Sequence, residues 1–132
     1  MKKLMVVGAG AMGRQIALQC ALQGMDVSLT DSAGAALEAA AAFAQEYLDG
    51  RVAKGRITSE FRSAALNRLE LTPRLDQAVV GASLVIEAIV EQFEPKRALF
   101  EELDRLCAPA TILATNSSNM RGSRLAAVTR RP

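Results

Sequence analysis

Apolar residues in this chain come in two arrangements: short unbroken runs, and longer stretches in which they return every three or four positions. The first suits strands and the second helices, because side chains alternate along a strand and repeat every 3.6 residues along a helix. "KLMVVG" (3–8) is a run closed by glycine, and from Met12 to Gln23 the residues Ile16, Ala17, Cys20 and Ala21 keep helical spacing, so strand, tight turn and helix are expected. Gly24 ends that helix, and "DVSLTD" (26–31) alternates as a second strand. The alanine-rich segment that follows carries Leu37, Ala40, Phe43, Ala44, Tyr47 and Leu48 on the helical period up to about Gly55. Alanine is the strongest helix former, and the retained period sets aside a low-complexity reading of "AAAA".

Thr58, followed by Glu60 and Phe61, opens a further helix, and "LEL" (69–71) reads as a brief strand. "SLVIEAIV" (83–90) is almost continuously apolar, as a strand covered on both faces should be. Pro95 suits the first turn of a helix whose buried stripe is Leu99, Phe100, Leu103 and Leu106. "TILATN" (111–116) closes the series as a last strand. The alternation implies an α/β fold: a doubly wound parallel sheet with helices on both faces.

Composition narrows what such a fold could serve. The 132 residues fit one domain, large enough to bury roughly two-thirds of the surface of the unfolded chain. Sixteen basic residues against fourteen acidic leave a net charge of +2, and the basic ones are scattered. With one tyrosine, four phenylalanines and no tryptophan there is little for bases to stack on, so no nucleic-acid partner is expected. No apolar run reaches the ~18 residues that cross a bilayer, so no membrane partner is expected either. "MKKLMVVGAGAMG" superficially suggests a secretion leader, but its apolar part is too short, and the reading is a cytoplasmic protein. Cys20 and Cys107 sit in apolar helical patterns, where free thiols pack as small hydrophobes; no disulfide framework and no metal are expected.

Gly8, Gly10 and Gly13 form G-x-G-x-x-G directly after an expected strand and at the opening of an expected helix, where the motif carries a mechanism. Gly8 allows the tight turn, Gly10 lets the backbone approach a pyrophosphate, and Gly13 lets the helix pack near the strand. The amides of the first helical turn, including those of Ala11 and Met12 beside Ala9, would then face the phosphates at the positive end of the helix dipole. Asp31 lies eighteen residues after Gly13, at the end of the second strand, where its carboxylate can accept hydrogen bonds from an adenosine ribose. Its alternative is to cap the following helix. A 2′-phosphate there would meet negative charge, and Ser32 and Ala33 supply no arginine, so the cofactor expected is NAD rather than NADP.

The chain resembles the L-3-hydroxyacyl-CoA dehydrogenases in their N-terminal domain. The resemblance rests on "VVGAGAMGRQIA", "LTD", "LVIEAIVEQFEPKRALFEEL" and "ILATNSS", in that order, and covers essentially the whole chain. It implies a Rossmann-type fold in which residues 1–132 are one NAD-binding domain of an oxidoreductase of fatty acid metabolism. It further implies that the chain is truncated before the rest of the catalytic site and a C-terminal helical domain, and that the full-length enzyme is a homodimer acting on an acyl-CoA substrate.

By position, Glu91 and Lys96 match family residues that contact the nicotinamide half of the cofactor; a solvated charge near a helix start is the alternative for each. Ser118 matches the serine that contacts both cofactor and acyl substrate, and Asn116 the motif asparagine before it; an ordinary turn is the alternative for this Asn-Ser-Ser. Lys54 matches a lysine that contacts the CoA portion, although an exposed lysine is the commoner explanation for any one such residue. Two positions depart from the family: Tyr47 stands where a second CoA-contacting residue is usually serine, and Asn119, Met120 and Arg121 follow Ser118 in place of the more typical serine and leucine. The chain has no histidine. In the resembling enzymes a histidine further along is the general base, so this chain alone is expected to be inactive while the longer enzyme interconverts a 3-hydroxyacyl-CoA and a 3-oxoacyl-CoA. The alternatives are a relative acting on a substrate of the carnitine, gulonate or diketone type without CoA, or a non-catalytic NAD-binding module.

Overall fold

The computed structural model describes residues 3–89 and 93–115, without the side chains of Phe93, Glu94, Lys96 and Thr115. Strand β1 (Lys3–Val7), helix α1 (Ala11–Leu22), β2 (Asp26–Thr30), α2 (Gly34–Ala53), α3 (Ser59–Arg68), β3 (Leu69–Thr72), α4 (Leu75–Ala78), β4 (Leu84–Glu87), α5 (Phe93–Leu106) and β5 (Ile112–Thr115) follow one another. The strands form one five-stranded sheet in the order β3-β2-β1-β4-β5. Every pairing is parallel. The order reverses direction at β1, so the crevice of this doubly wound sheet opens between the carboxyl ends of β1 and β4.

Alternation along β1 explains why both faces are covered. Leu4 and Val6 pack into a cluster with Ala17 and Ala21 of α1 and Leu37 and Ala40 of α2. Met5 and Val7 face the other way, onto Ala78, Leu103 and Cys107. Burying a side chain of this kind removes apolar area worth ~1.5–3 kcal/mol for each large residue, so the two clusters clamp the sheet from both sides. A third cluster, Leu18, Ala44, Leu48 and Ala65, fixes α2 and α3 against α1. The start of α3 is set by Thr58, whose Oγ1 accepts the Phe61 amide at 3.0 Å.

Two features differ from the sequence expectation, and a third sets aside an alternative. Leu106 is 39% exposed, while Cys107 is buried in its place. The Cys107 amide still donates to Leu103 O at 2.8 Å, so Cys107 sits one helical repeat beyond the buried Leu103 and takes the inward position, while Leu106 falls at the edge of the stripe. The four-residue helix α4 has too few apolar repeats to show in the sequence and is held by contact with the sheet. Asp31 does not cap α2: the residue before that helix is Ala33, and no side chain caps it.

Candidate functional site

The turn after β1 owes its shape to two contacts that exclude a side chain. Gly8 has φ +109°, donates its amide to Thr30 O at 2.8 Å, and packs so closely on β4 that a Cβ would lie 2.6 Å from Ala88 O. At Gly13 a Cβ would lie 1.7 Å from Gly8 O, so α1 reaches this distance from the turn only because the position is glycine. Gly10 is different: its backbone is extended (φ −71°, ψ −169°) and a Cβ there would meet nothing within 4 Å. Its lack of a side chain leaves open space above the start of α1. No side chain caps α1 and no acidic residue occupies its first turn, so the amides of Ala11, Met12 and Gly13 are left for an outside acceptor. Gly10, Ala11 and Met12 are exposed, whereas Ala9 is fully buried.

Asp31 stands beside this turn with both carboxylate oxygens in use. Oδ2 accepts the Ala9 amide at 2.8 Å, and Oδ1 accepts the Ala33 amide at 2.8 Å. Ala9 therefore contributes its amide to the shape of the turn. Each carboxylate oxygen has further acceptor capacity, so Asp31 can hold the turn and still receive a hydroxyl group.

Between the turn and the far side of the sheet lies a cavity of about 290 Å³. Gly8, Asp31, Ser32, Pro73, Leu75 and Ile89 line it, with Leu99 and Glu102 of α5 closing one side. Among the described residues two carboxylates, Asp31 and Glu102, line it and no cation does. Sequence reasoning found Gly8 and Asp31 but missed Pro73, Leu75, Leu99 and Glu102, which only the β2–β3 pairing and the packing of α5 bring here. The open backbone at Gly10, the uncapped helix start and the carboxylate at the end of β2 together suit a dinucleotide: phosphates on the amides and a ribose on Asp31.

Glu87 was also missed, although a lone carboxylate inside "LVIEAIV" is a signal. It is fully buried at the end of β4, and its Oε2 accepts the Ile89 amide at 2.7 Å. That bond shapes the backbone on which Gly8 rests. Thr115 pairs with Glu87, and Glu87 with Val7, so β5 ends at the same edge of the sheet. Glu91, Asn116 and Ser118 lie outside the described residues, as does the side chain of Lys96. Lys54 is far along α2, exposed at its C-terminal end, where it lines a groove of about 540 Å³ with Phe43, Glu46, Tyr47, Gly50 and Arg51.

Comparison with known proteins narrows the dinucleotide to one family. Residues 3–132 match the family model described as 3-hydroxyacyl-CoA dehydrogenase, NAD binding domain. This chain belongs to that family. It carries the family's NAD-binding domain, and NAD is its cofactor. It is 39% identical over 131 residues to a probable 3-hydroxybutyryl-CoA dehydrogenase of Bacillus subtilis, covering 99% of this chain and 45% of that protein. It superposes on the crystal structure of an (S)-3-hydroxybutyryl-CoA dehydrogenase from Ralstonia eutropha with a TM-score of 0.93 at 31% identity, over 99% of this chain and 46% of that one. A solved diketoreductase is similar as well, with a TM-score of 0.87 at 33% identity, over 99% of this chain and 47% of that one. The chain thus spans less than half the length of these relatives. Among the described residues no helix is long and apolar enough to cross a membrane.

Proposed function

We propose that residues 1–132 are the NAD-binding part of a longer cytoplasmic, homodimeric dehydrogenase that interconverts a 3-hydroxyacyl-CoA and a 3-oxoacyl-CoA. The observation that carries the reading is the pairing of open backbone at Gly10 with the Asp31 carboxylate on the same turn, in a chain matching this family from residue 3 to its last residue. The amides of Ala11, Met12 and Gly13 hold the pyrophosphate, and Asp31 accepts the adenosine ribose hydroxyls. Glu91 and Lys96 serve the nicotinamide half. Bound NAD supplies the hydride acceptor for the substrate's hydroxyl-bearing carbon. Ser118, with Asn116 beside it, orients the substrate oxygen, and Lys54 meets the CoA portion. The chain has no histidine, so the general base is placed in the longer protein, together with a C-terminal helical domain that completes the substrate cleft.

General acid–base assistance contributes about 10²–10⁴-fold in rate. Residues 1–132 alone should therefore bind NADH yet oxidise it with acetoacetyl-CoA at the background rate, and the full gene product should turn over. Ser118→Ala in that full protein should lower kcat sharply. Substrate-dependent NADH oxidation by the 132-residue chain would place the base within it and overturn this assignment. The similarity to a diketoreductase favours one second reading, reduction of a dicarbonyl substrate without CoA. Assaying the full gene product with acetoacetyl-CoA and with a free diketone separates the two by kcat/KM.

A further inference from the structure

The cavity beside Asp31 is larger than a ribose needs and smaller than a dinucleotide. Its volume, about 290 Å³, is at the lower end of the ~300–1,000 Å³ of small-molecule sites, so it takes one part of the cofactor. Leu75, Ile89 and Leu99, which line it, pack against the core cluster that contains Met5, Val7 and Leu103. The hollow therefore lies on the α4–α5 side of the sheet, and Asp31 enters it from the end of β2.

The lining divides by chemistry. Pro73, Leu75, Ile89 and Leu99 offer apolar contact and no hydrogen-bonding side chain, which suits the two faces of a base. A ribose held on Asp31 carries its base into this part. The edge of that base is polar and needs a partner when water is displaced. From α5 the polar side chain in the lining is Glu102, which accepts hydrogen bonds and donates none when ionised.

The other contact of Glu102 does not use up its capacity. Arg105 Nη2 lies 3.8 Å from Oε2, beyond hydrogen-bond length, and the two side chains are 70% and 48% exposed, arginine first, so the pair holds the carboxylate loosely. The neighbouring Glu101 is engaged along the helix instead, 3.2 Å from Arg97 Nη2. Of two adjacent acids, one is paired on the surface and the other lines the cavity.

We infer that Glu102 is a specificity-determining residue of the cofactor site: its carboxylate accepts the 6-amino group of the adenine, so the domain selects an adenine dinucleotide over one carrying a 6-oxopurine. The inference rests on the dinucleotide reading above. Among the described residues no cationic side chain lines the cavity, so none there offsets the carboxylate or donates to a 6-oxygen.

Fluorescence titration of the full gene product with NADH and with its hypoxanthine analogue, in which an oxygen replaces the 6-amino group, tests the inference without turnover. The two ligands differ only in the base, so a folding defect weakens both and leaves their affinity ratio. The unmutated protein should favour NADH about tenfold, as loss of one charge-assisted hydrogen bond implies. Glu102→Gln, whose amide can donate to the 6-oxygen, should bring the ratio to within about twofold of unity. Arg105→Gln removes the helix partner but not the acceptor, and should leave the ratio unchanged. A ratio near unity in the unmutated protein, or one that Glu102→Gln does not lower, overturns the inference. An unmoved base ratio with tighter NADPH binding in Glu102→Gln also overturns it, by setting the carboxylate against a 2′-phosphate. If the unmutated protein binds neither NADH nor the analogue, the dinucleotide reading itself fails and takes the role of Glu102 with it.

Discussion

Asp31 accepts the amide of Ala9 at 2.8 Å, joining the end of β2 to the glycine turn after β1. The carboxylate proposed to receive the ribose is therefore also a brace for the loop proposed to receive the phosphates. A hydrogen bond to a charged group contributes ~1.5–3 kcal/mol, so the brace is a substantial part of what holds this turn.

Asp31→Ala should consequently do two things at once. Affinity for NADH should fall and the preference over NADPH should narrow, because the negative charge facing a 2′-phosphate is reduced. Stability should drop by ~1–3 kcal/mol as the Ala9 and Ala33 amides lose their acceptor. Isothermal titration with both nucleotides and urea unfolding measure the two effects; equal affinity of the unmutated domain for NADH and NADPH would contradict the assigned role.

Gly10 and Gly13 should respond in opposite ways. A Cβ at Gly10 meets no atom within 4 Å and the backbone is extended, as any residue adopts, so for Gly10→Val the circular-dichroism spectrum should persist while NADH binding disappears. Gly13→Ala forces a methyl to within 1.7 Å of Gly8 O, and the cost should reach ~4 kcal/mol or prevent folding. A Gly10→Val protein that still binds NADH would show that the open space is not where the pyrophosphate lies.

Removing the cap of α3 should be purely structural. Thr58→Ala loses the bond from the Phe61 amide and should destabilise the domain by ~1 kcal/mol in urea unfolding. NADH affinity should not change, since Thr58 does not line the cavity beside Asp31.

The Cys20 thiol, half-buried in α1, is pushed above its ordinary value of 9.0 by burial. It should remain protonated at neutral pH and react with iodoacetamide more slowly than a free cysteine, because the thiolate is the nucleophile. The raised value also fixes the sign of a stability effect: the contribution is complete below pH 9 and is lost as pH rises through the folded-state value. Thermal unfolding at pH 8 and pH 10, compared between this chain and Cys20→Ala, should show a smaller alkaline loss in the variant.

The sequence by itself determined the strands β1, β2 and β4, the long helices α1 and α2, and the glycine turn, because each depends on neighbours within a few residues. Periodicity at Leu37, Ala40, Ala44 and Leu48 located a helix face without reference to what covers it. The positions at Gly8, Gly10 and Gly13 were legible for the same reason. The tertiary structure decided the rest. Pairing of β2 with β3 brings Pro73 and Leu75 to the cavity that Asp31 lines, across more than forty residues of chain. Packing of α5 adds Glu102 to it and turns Cys107 rather than Leu106 inward. Sequence could place Asp31 at a strand end, but whether it capped a helix or braced the turn depended on the distance between two crossover connections. Only the packing of α2 against α1 sets Arg14 against Phe43, beside Tyr47 and Arg51, because such a contact belongs to no local pattern and exists only once the helices are in place.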